Sequence, residues 1–251
     1  MKEARLFGIG IHAVTMDEAV EAVARFVAEK MPRQAVFLNA GKFAEIDRNP
    51  ALKRAVEKAD LRLADGQPLL WAGRLLGAPL PERVAGIDLM HRLLAEGKER
   101  GWRFFFFGAT EEVVAKTVAV CRERYGVAVA GSRHGYYGPE EEDAVAEKIR
   151  GAGADILFVA MGSPKKELFM ERYLSTMNVP FTMGVGGSFD VVAGLARRAP
   201  RWMRGMGLEW FYRFLQEPRR LWKRYLYGNL HFIRRTAACF FLRRDCCGRR
   251  R

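Results

Sequence analysis

The sequence predicts an α/β fold: a Rossmann-like, mostly parallel sheet flanked by helices, followed by a basic helical C-terminal appendage. Three observations predict it. Strand-like segments alternate with helix-like ones through short glycine-containing turns. Residues 103–107 carry four consecutive phenylalanines, apolar on both sides as a strand between two helical layers requires. The excess charge is confined to one end: residues 197–251 hold 16 Lys and Arg against 3 Asp and Glu, whereas residues 1–196 hold 26 of each. A neutral body of 1–196 with a basic segment of 197–251 suggests an anionic partner held by one end rather than a domain that binds nucleic acid throughout.

The elements follow in order. Residues 6–13 read as one strand with Gly8-Ile9-Gly10 inside it. Thr15 and Glu18 form a capping box for a helix whose Ala19, Val20, Val23, Phe26 and Val27 make an apolar stripe. A second strand, 34–38, ends at Asn39, and helices follow through Phe43 and Ile46 and over 50–59. Asn39 thus sits at a strand's carboxyl end, although spacing alone favours it as a helix cap. Residues 61–64 make a short strand that Asp65-Gly66 breaks, and Pro68 opens a helix running to 76. A carboxylate at the carboxyl end of such a strand faces the crevice where open α/β sheets bind ligands, so Asp65 is the catalytic candidate. The same spacing suits a turn residue in an Asp-Gly pair. Arg83 lies in a loop running into a helix that begins near Asp88, which also suits an N-cap.

After the phenylalanine strand, Gly108-Ala109-Thr110 turns into a helix through Val113, Val114 and Val118; a strand at 127–130 and a polar helix at 139–150 follow. Residues 155–160 form the next strand. Beyond it Ser163 suits an N-cap, and Lys166 and Glu167 lie in the helix's first turn. The strand 181–185 runs into Gly184-Val185-Gly186-Gly187-Ser188-Phe189-Asp190, whose glycines let successive backbone N–H groups turn toward an anion. In the basic segment, Leu221, Trp222, Tyr225 and Leu226 oppose Arg219, Arg220, Lys223 and Arg224 on a helical wheel. That pattern fits an interfacial helix on anionic lipid first, and next one packing its apolar side on the body; the two can both hold. A grip on nucleic acid is disfavoured, because the body offers no RNA or DNA module.

Several classes are excluded. No GxGxxG follows the first strand and no GxxxxGK[ST] occurs, which disfavours nicotinamide and P-loop readings. The absence of Asp-x-Asp points to neutralising a diphosphate with arginines and backbone amides; no metal or cofactor is expected. The four cysteines show no CxxC pair, so neither a disulfide scaffold nor a zinc site is implied. With no basic-then-apolar leader and no apolar run near the ~20 residues that span a bilayer, the chain is expected in the cytoplasm.

Asn39, Ala64-Asp65-Gly66, the run from Glu82-Arg83 through Asp88-Leu89, Gly162-Ser163-Pro164 with Glu167, the run from Gly184 to Asp190, and Arg198-Ala199-Pro200 through Gly207-Leu208-Glu209-Trp210 together resemble the WecG/TagA/CpsF glycosyltransferase family over about residues 5–225. The resemblance implies an inverting, metal-independent enzyme. It would move N-acetylmannosamine or a related sugar from a UDP-sugar to an undecaprenyl-diphosphate-linked N-acetylglucosamine, in wall teichoic acid or surface polysaccharide synthesis. It implies Asp65 as general base, and Asn39, Arg83, Asp88, Lys166, Glu167, Gly184, Gly186, Gly187 and Asp190 as substrate-binding positions. It further implies Arg213, Arg220, Lys223 and Arg224 on an appendage that closes over the site, shelters the diphosphate and touches the inner face of the cell membrane. A homo-oligomer is left open. Phe37 stands where the family commonly has Thr, Lys166 where it has Gln, and Lys223 where it has Arg. A lysine at 166 suits either an acidic sugar or a phosphate. The competing expectation is a non-catalytic nucleotide-binding protein attaching to polyanions through its tail.

Overall fold

The computed structural model describes residues 1–216 and 218–241, without the side chains of 201, 220, 221 and 223–225. The chain opens with a hairpin of β1 (Glu3–Leu6) and β2 (Ile9–His12), then α1 (Met16–Glu29), β3 (Arg33–Leu38), α2 (Ala40–Arg48), α3 (Pro50–Lys58), β4 (Leu61–Ala64) and α4 (Gln67–Leu75). It continues with α5 (Gly86–Gly97), β5 (Arg103–Gly108), α6 (Glu111–Tyr125), β6 (Ala128–Arg133), a 3-10 turn at Pro139–Glu141, α7 (Glu142–Gly151), β7 (Ile156–Ala160), α8 (Lys165–Met177) and β8 (Phe181–Gly184). Four helices end it: α9 (Ser188–Val192), α10 (Arg201–Gly205), α11 (Glu209–Gln216) and α12 (Pro218–Phe241).

Six strands form one sheet in the order β4-β3-β8-β7-β5-β6, every neighbouring pair parallel. The phenylalanine strand shows why its sequence is apolar throughout. Phe105 and Phe107 enter the core cluster on one face of the sheet, Phe104 and Phe106 the cluster on the other, and all four are buried. Period-two alternation lets each strand feed both layers.

β3 and β8 are hydrogen-bonded neighbours whose chains leave the sheet on opposite sides. Phe43 and Ile46 of α2 belong to one core cluster and Phe189 of α9 to the other. Such a divergence opens a crevice at the strands' carboxyl ends, where open α/β sheets take their ligands.

The structure corrects two local expectations. Residues 6–13 are not one strand: Leu6 ends β1 and Ile9–His12 form β2, paired as a hairpin with Leu6 opposite Ile9. Phe7 and Gly8, at φ 53° and 85°, make a tight turn of the kind whose twist suits two-residue hairpins. Its Phe7 ring is held edge-on between Phe43 and Phe232, and this tertiary packing supports a backbone conformation that phenylalanine rarely adopts. Cys121 is a buried free thiol, but Cys239 is disulfide-bonded, which spacing along the chain could not reveal.

The helix α12 packs on α2, so closely that a Cβ on Gly228 would lie 2.9 Å from the Gly41 Cα. Phe232 is buried against Phe7 and Phe43, and Asp47 accepts from His231 at 2.7 Å and from Arg235 at 2.5 Å. The basic segment therefore does pack part of its surface on the body. Among the described residues, no helix is long and apolar enough to cross a membrane.

Candidate active site

Asp65 follows β4 directly, its backbone N–H donating to the Leu38 carbonyl at 2.7 Å. This extends the β3–β4 ladder by one step and fixes where the carboxylate leaves the sheet. Among the described residues the carboxylate has neither a hydrogen-bond nor an ion-pair partner. Its residue keeps a partly open surface, yet protein surrounds the carboxyl group itself, and this desolvation raises its pKa to about 6. Arg83 and Arg213 pull the value down, while Glu209 and Asp88 push it up. A carboxylate with an unspent acceptor capacity and a pKa near neutrality is chemically suited to take a proton.

Asn39 sits beside this position, since a Cβ on Gly66 would fall 3.6 Å from the Asn39 Cβ. Its side chain accepts from the Lys42 N–H at 3.0 Å and caps α2, the role spacing favoured.

Across the crevice, the Lys42 ammonium lies 2.8 Å from Glu167 Oε1 and 2.5 Å from the Ser163 hydroxyl, which donates to Glu45 at 2.5 Å. Lys166 approaches the same Glu167 oxygen at 2.9 Å. Burial alone would raise the Glu167 carboxyl, but Lys166 and Lys42 outweigh it and hold the pKa at about 2. The Lys166 stem crosses Gly184, where a Cβ would fall 2.8 Å from its Cδ. Ser163 is thus not an N-cap: α8 begins at Lys165 without a side-chain cap, and the hydroxyl is spent on Lys42 and Glu45.

The glycine turn follows β8, with Gly186 at φ 53° and Gly187 leading into α9. Asp190 lies in the first turn of α9, not at the strand end. A Cβ on Gly187 would lie 3.2 Å from Arg213 Nη2 and 3.5 Å from Asp190 Oδ2, so the structure brings Gly187, Asp190 and Arg213 together. The side chains of Arg220, Lys223 and Arg224 lie outside the described residues. Phe37 joins the core, packed under Gly86.

Asp88 is the third residue of α5, whose N-cap is Ala85. Arg198 donates to its two carboxylate oxygens at 2.6 and 2.7 Å, and these arginine contacts outweigh burial to lower its pKa. Arg83 donates to Glu209 at 2.9 Å and reaches Asp88 at 3.4 Å. A cavity of about 690 Å³ opens beside this group, lined among others by Gln67, Arg83, Asp88, His91 and Arg204, but not by Asp65.

Lys42, Glu45, Ser163, Arg198 and Glu209 are partners that the sequence reading gave no site role. One signal for Lys42 was available: a cation three residues past an N-cap opposes the helix dipole and implies a dedicated anion. Arg198 and Glu209 lay within the quoted motif blocks, but nothing local says what they face.

A parallel Rossmann-like sheet with polar groups gathered at its carboxyl edge defines an α/β ligand-binding protein. Residues 4–245 match the model of the glycosyl transferase WecG/TagA/CpsF family, and the chain belongs to that family. It is a glycosyltransferase in class, acting on a sugar donor and an acceptor.

Proposed function

We propose that the protein transfers N-acetylmannosamine, or a related sugar, from a UDP-sugar to an undecaprenyl-diphosphate-linked N-acetylglucosamine, with inversion and without a metal. The observation that carries this reading is Asp65: a carboxylate at the carboxyl edge of the sheet, without an ion-pair partner among the described residues and held at about pKa 6 by desolvation. It takes the proton of the acceptor hydroxyl as that oxygen attacks the anomeric carbon, from the face opposite the departing UDP. Arg213, lying over the glycine turn at Gly187, stabilises the charge that develops on the diphosphate. Asn39, Arg83, Asp190, Lys166 and Glu167 line or brace the donor crevice, and Asp88 braces it through the arginines it binds.

The reading also puts the protein at the inner face of the cell membrane, in wall teichoic acid or surface polysaccharide synthesis. On α12, Trp222, Leu226, Leu230 and Ile233 are all exposed and recur at helical spacing. They point away from Gly228 and Phe232, the side packed on α2, and Arg219 and Arg234 are exposed nearby. An apolar stripe with basic neighbours supports contact with an anionic bilayer surface.

The test is direct: UDP release is measured with a panel of UDP-sugars and a short-chain lipid-diphosphate acceptor in EDTA. Acceptor-dependent release is expected with at least one donor. Binding of UDP without turnover of any donor would favour a non-catalytic nucleotide-binding protein instead.

A further inference from the structure

The Val84 N–H donates to the Ala64 carbonyl at 2.9 Å, which holds the loop of Arg83 against the strand end that carries Asp65, and there Arg83 enters a closed ring of ion pairs built from distant parts of the chain. Arg83 Nη1 lies 2.9 Å from Glu209 Oε2, and Glu209 Oε1 lies 3.2 Å from Arg198 Nε. Arg198 binds Asp88 through both terminal nitrogens, at 2.6 and 2.7 Å, and Asp88 closes the circuit to Arg83 at 3.4 Å. The body contributes Arg83 and Asp88; the C-terminal segment contributes Arg198 and Glu209. Each side supplies one cation and one anion to the ring, and Arg204 approaches Asp88 at 3.9 Å as a further cation.

Its position gives it two consequences. Glu209 is the first residue of α11 and Arg213 stands four residues later, on the same side of the helix. Anchoring Glu209 therefore sets the rotation of α11 and the direction in which Arg213 reaches the glycine turn. The groups that act on the Asp65 carboxylate are Arg83 from the loop before α5, Asp88 from α5, and Glu209 and Arg213 from α11. Three of these four belong to the ring, and the fourth is aimed by it.

We infer that Glu209 is a positioning residue: it holds Arg83 beside Asp65 without letting the two pair, and it seats α11 so that Arg213 covers the Gly187 turn. Without Glu209, Arg83 keeps only Asp88, at 3.4 Å, and is free to turn toward the Asp65 carboxylate. A salt link between Arg83 and Asp65 would use up the acceptor capacity that proton removal needs. The inference rests on the proposed role of Asp65 as the base.

The test follows the Asp65 carboxyl carbon by 13C NMR through a pH titration of the full chain, in the wild type, Glu209→Gln and Glu209→Asp. Glu209→Gln removes an anion that raises the Asp65 pKa and releases a cation that lowers it. Both effects have the same sign, and the midpoint is expected to fall by about half a pH unit or more. The acid limb of kcat/KM should move with it, and kcat should drop at least about tenfold. Glu209→Asp, which keeps the charge, should bring the midpoint most of the way back. Loss of the Glu209 charge alone would shift the midpoint but leave Arg213 in place, so a folded Glu209→Gln protein whose kcat stays at the wild-type level, or whose midpoint does not move, overturns the inference. If Glu209→Gln does not fold, Arg198→Gln takes its place: with both anions less neutralised the midpoint should rise, and an unchanged midpoint is equally fatal. The titration needs no turnover. A wild type that transfers no sugar would sink the proposed activity and leave this measurement readable.

Discussion

The Lys42 ammonium and the Glu167 carboxylate meet at 2.8 Å across the end of β8, joining the helices that follow β3 and β7. Both side chains are almost wholly buried, at 3% and 2% exposure. Lys166 serves as the second cation, and its stem lies over Gly184, so the three residues form the floor of the crevice. Removing two charges from water is costly, and a pair of this kind holds only while both partners remain.

Glu167 gives the first prediction, in the pH dependence of stability. Its folded pKa of about 2 lies below the ordinary 4.5, so its contribution is fully present above pH 4.5 and lost as pH falls toward 2. Glu167→Gln takes from Lys42 its nearest carboxylate, leaving Glu45 at 3.4 Å, and should cost about 3 kcal/mol near neutrality. That penalty should shrink by roughly 2–3 kcal/mol between pH 4.5 and 2. Urea unfolding at several pH values measures the difference, and a penalty constant with pH would contradict the pairing.

Asp65 should show the opposite sign. Its folded pKa of about 6 lies above the ordinary 3.8, so the folded state holds the proton more tightly than the unfolded one. Stability from this group is present below pH 3.8 and lost as pH rises through 6. Asp65→Asn should therefore raise stability at pH 7.5 by roughly 1–2 kcal/mol, allowing for partial solvent access. It should also reduce turnover by about two to four orders of magnitude with UDP affinity largely kept. A variant that loses both activity and stability would mean that Asp65 is a turn residue and nothing more.

Arg213 is exposed, so Arg213→Ala should leave Tm nearly unchanged. If its guanidinium meets charge that develops on the leaving diphosphate, kcat should fall about 10- to 1,000-fold, with a smaller effect on donor binding. Steady-state kinetics on the purified variant decide this, and a change confined to KM would assign Arg213 to ground-state binding only.

The exposed stripe on α12 gives a prediction about location. Replacing Trp222, Leu226, Leu230 and Ile233 by serine removes apolar area from water rather than from a core, so the protein should stay folded. Sedimentation with vesicles containing anionic lipid should fall at least about tenfold. Undiminished pelleting of the folded variant would assign lipid contact to some other surface.

Much of the fold could be read along the chain because its signals are local. The capping box of Thr15 and Glu18, the β4 boundary before Asp65-Gly66, and the phenylalanines of β5 are set by hydrogen bonds within three residues or by a period of two. Asp65 was legible as a strand-end carboxylate for the same reason. The hairpin at Phe7-Gly8 was not, because a phenylalanine at positive φ is supported by Phe43 and Phe232, which lie far along the sequence.

The sequence by itself determined most of the strand and helix segments, the glycine turn after β8 and the concentration of cations after residue 196. Only the tertiary structure decided what the arginines of the body and of the C-terminal segment meet. Arg83 finds Glu209 and Arg198 finds Asp88 across separations of 126 and 110 residues. Strand order and the return of the C-terminal helices bring these groups within hydrogen-bonding distance. Coulombic attraction depends on separation in space, and no rule confined to neighbouring residues can supply that distance.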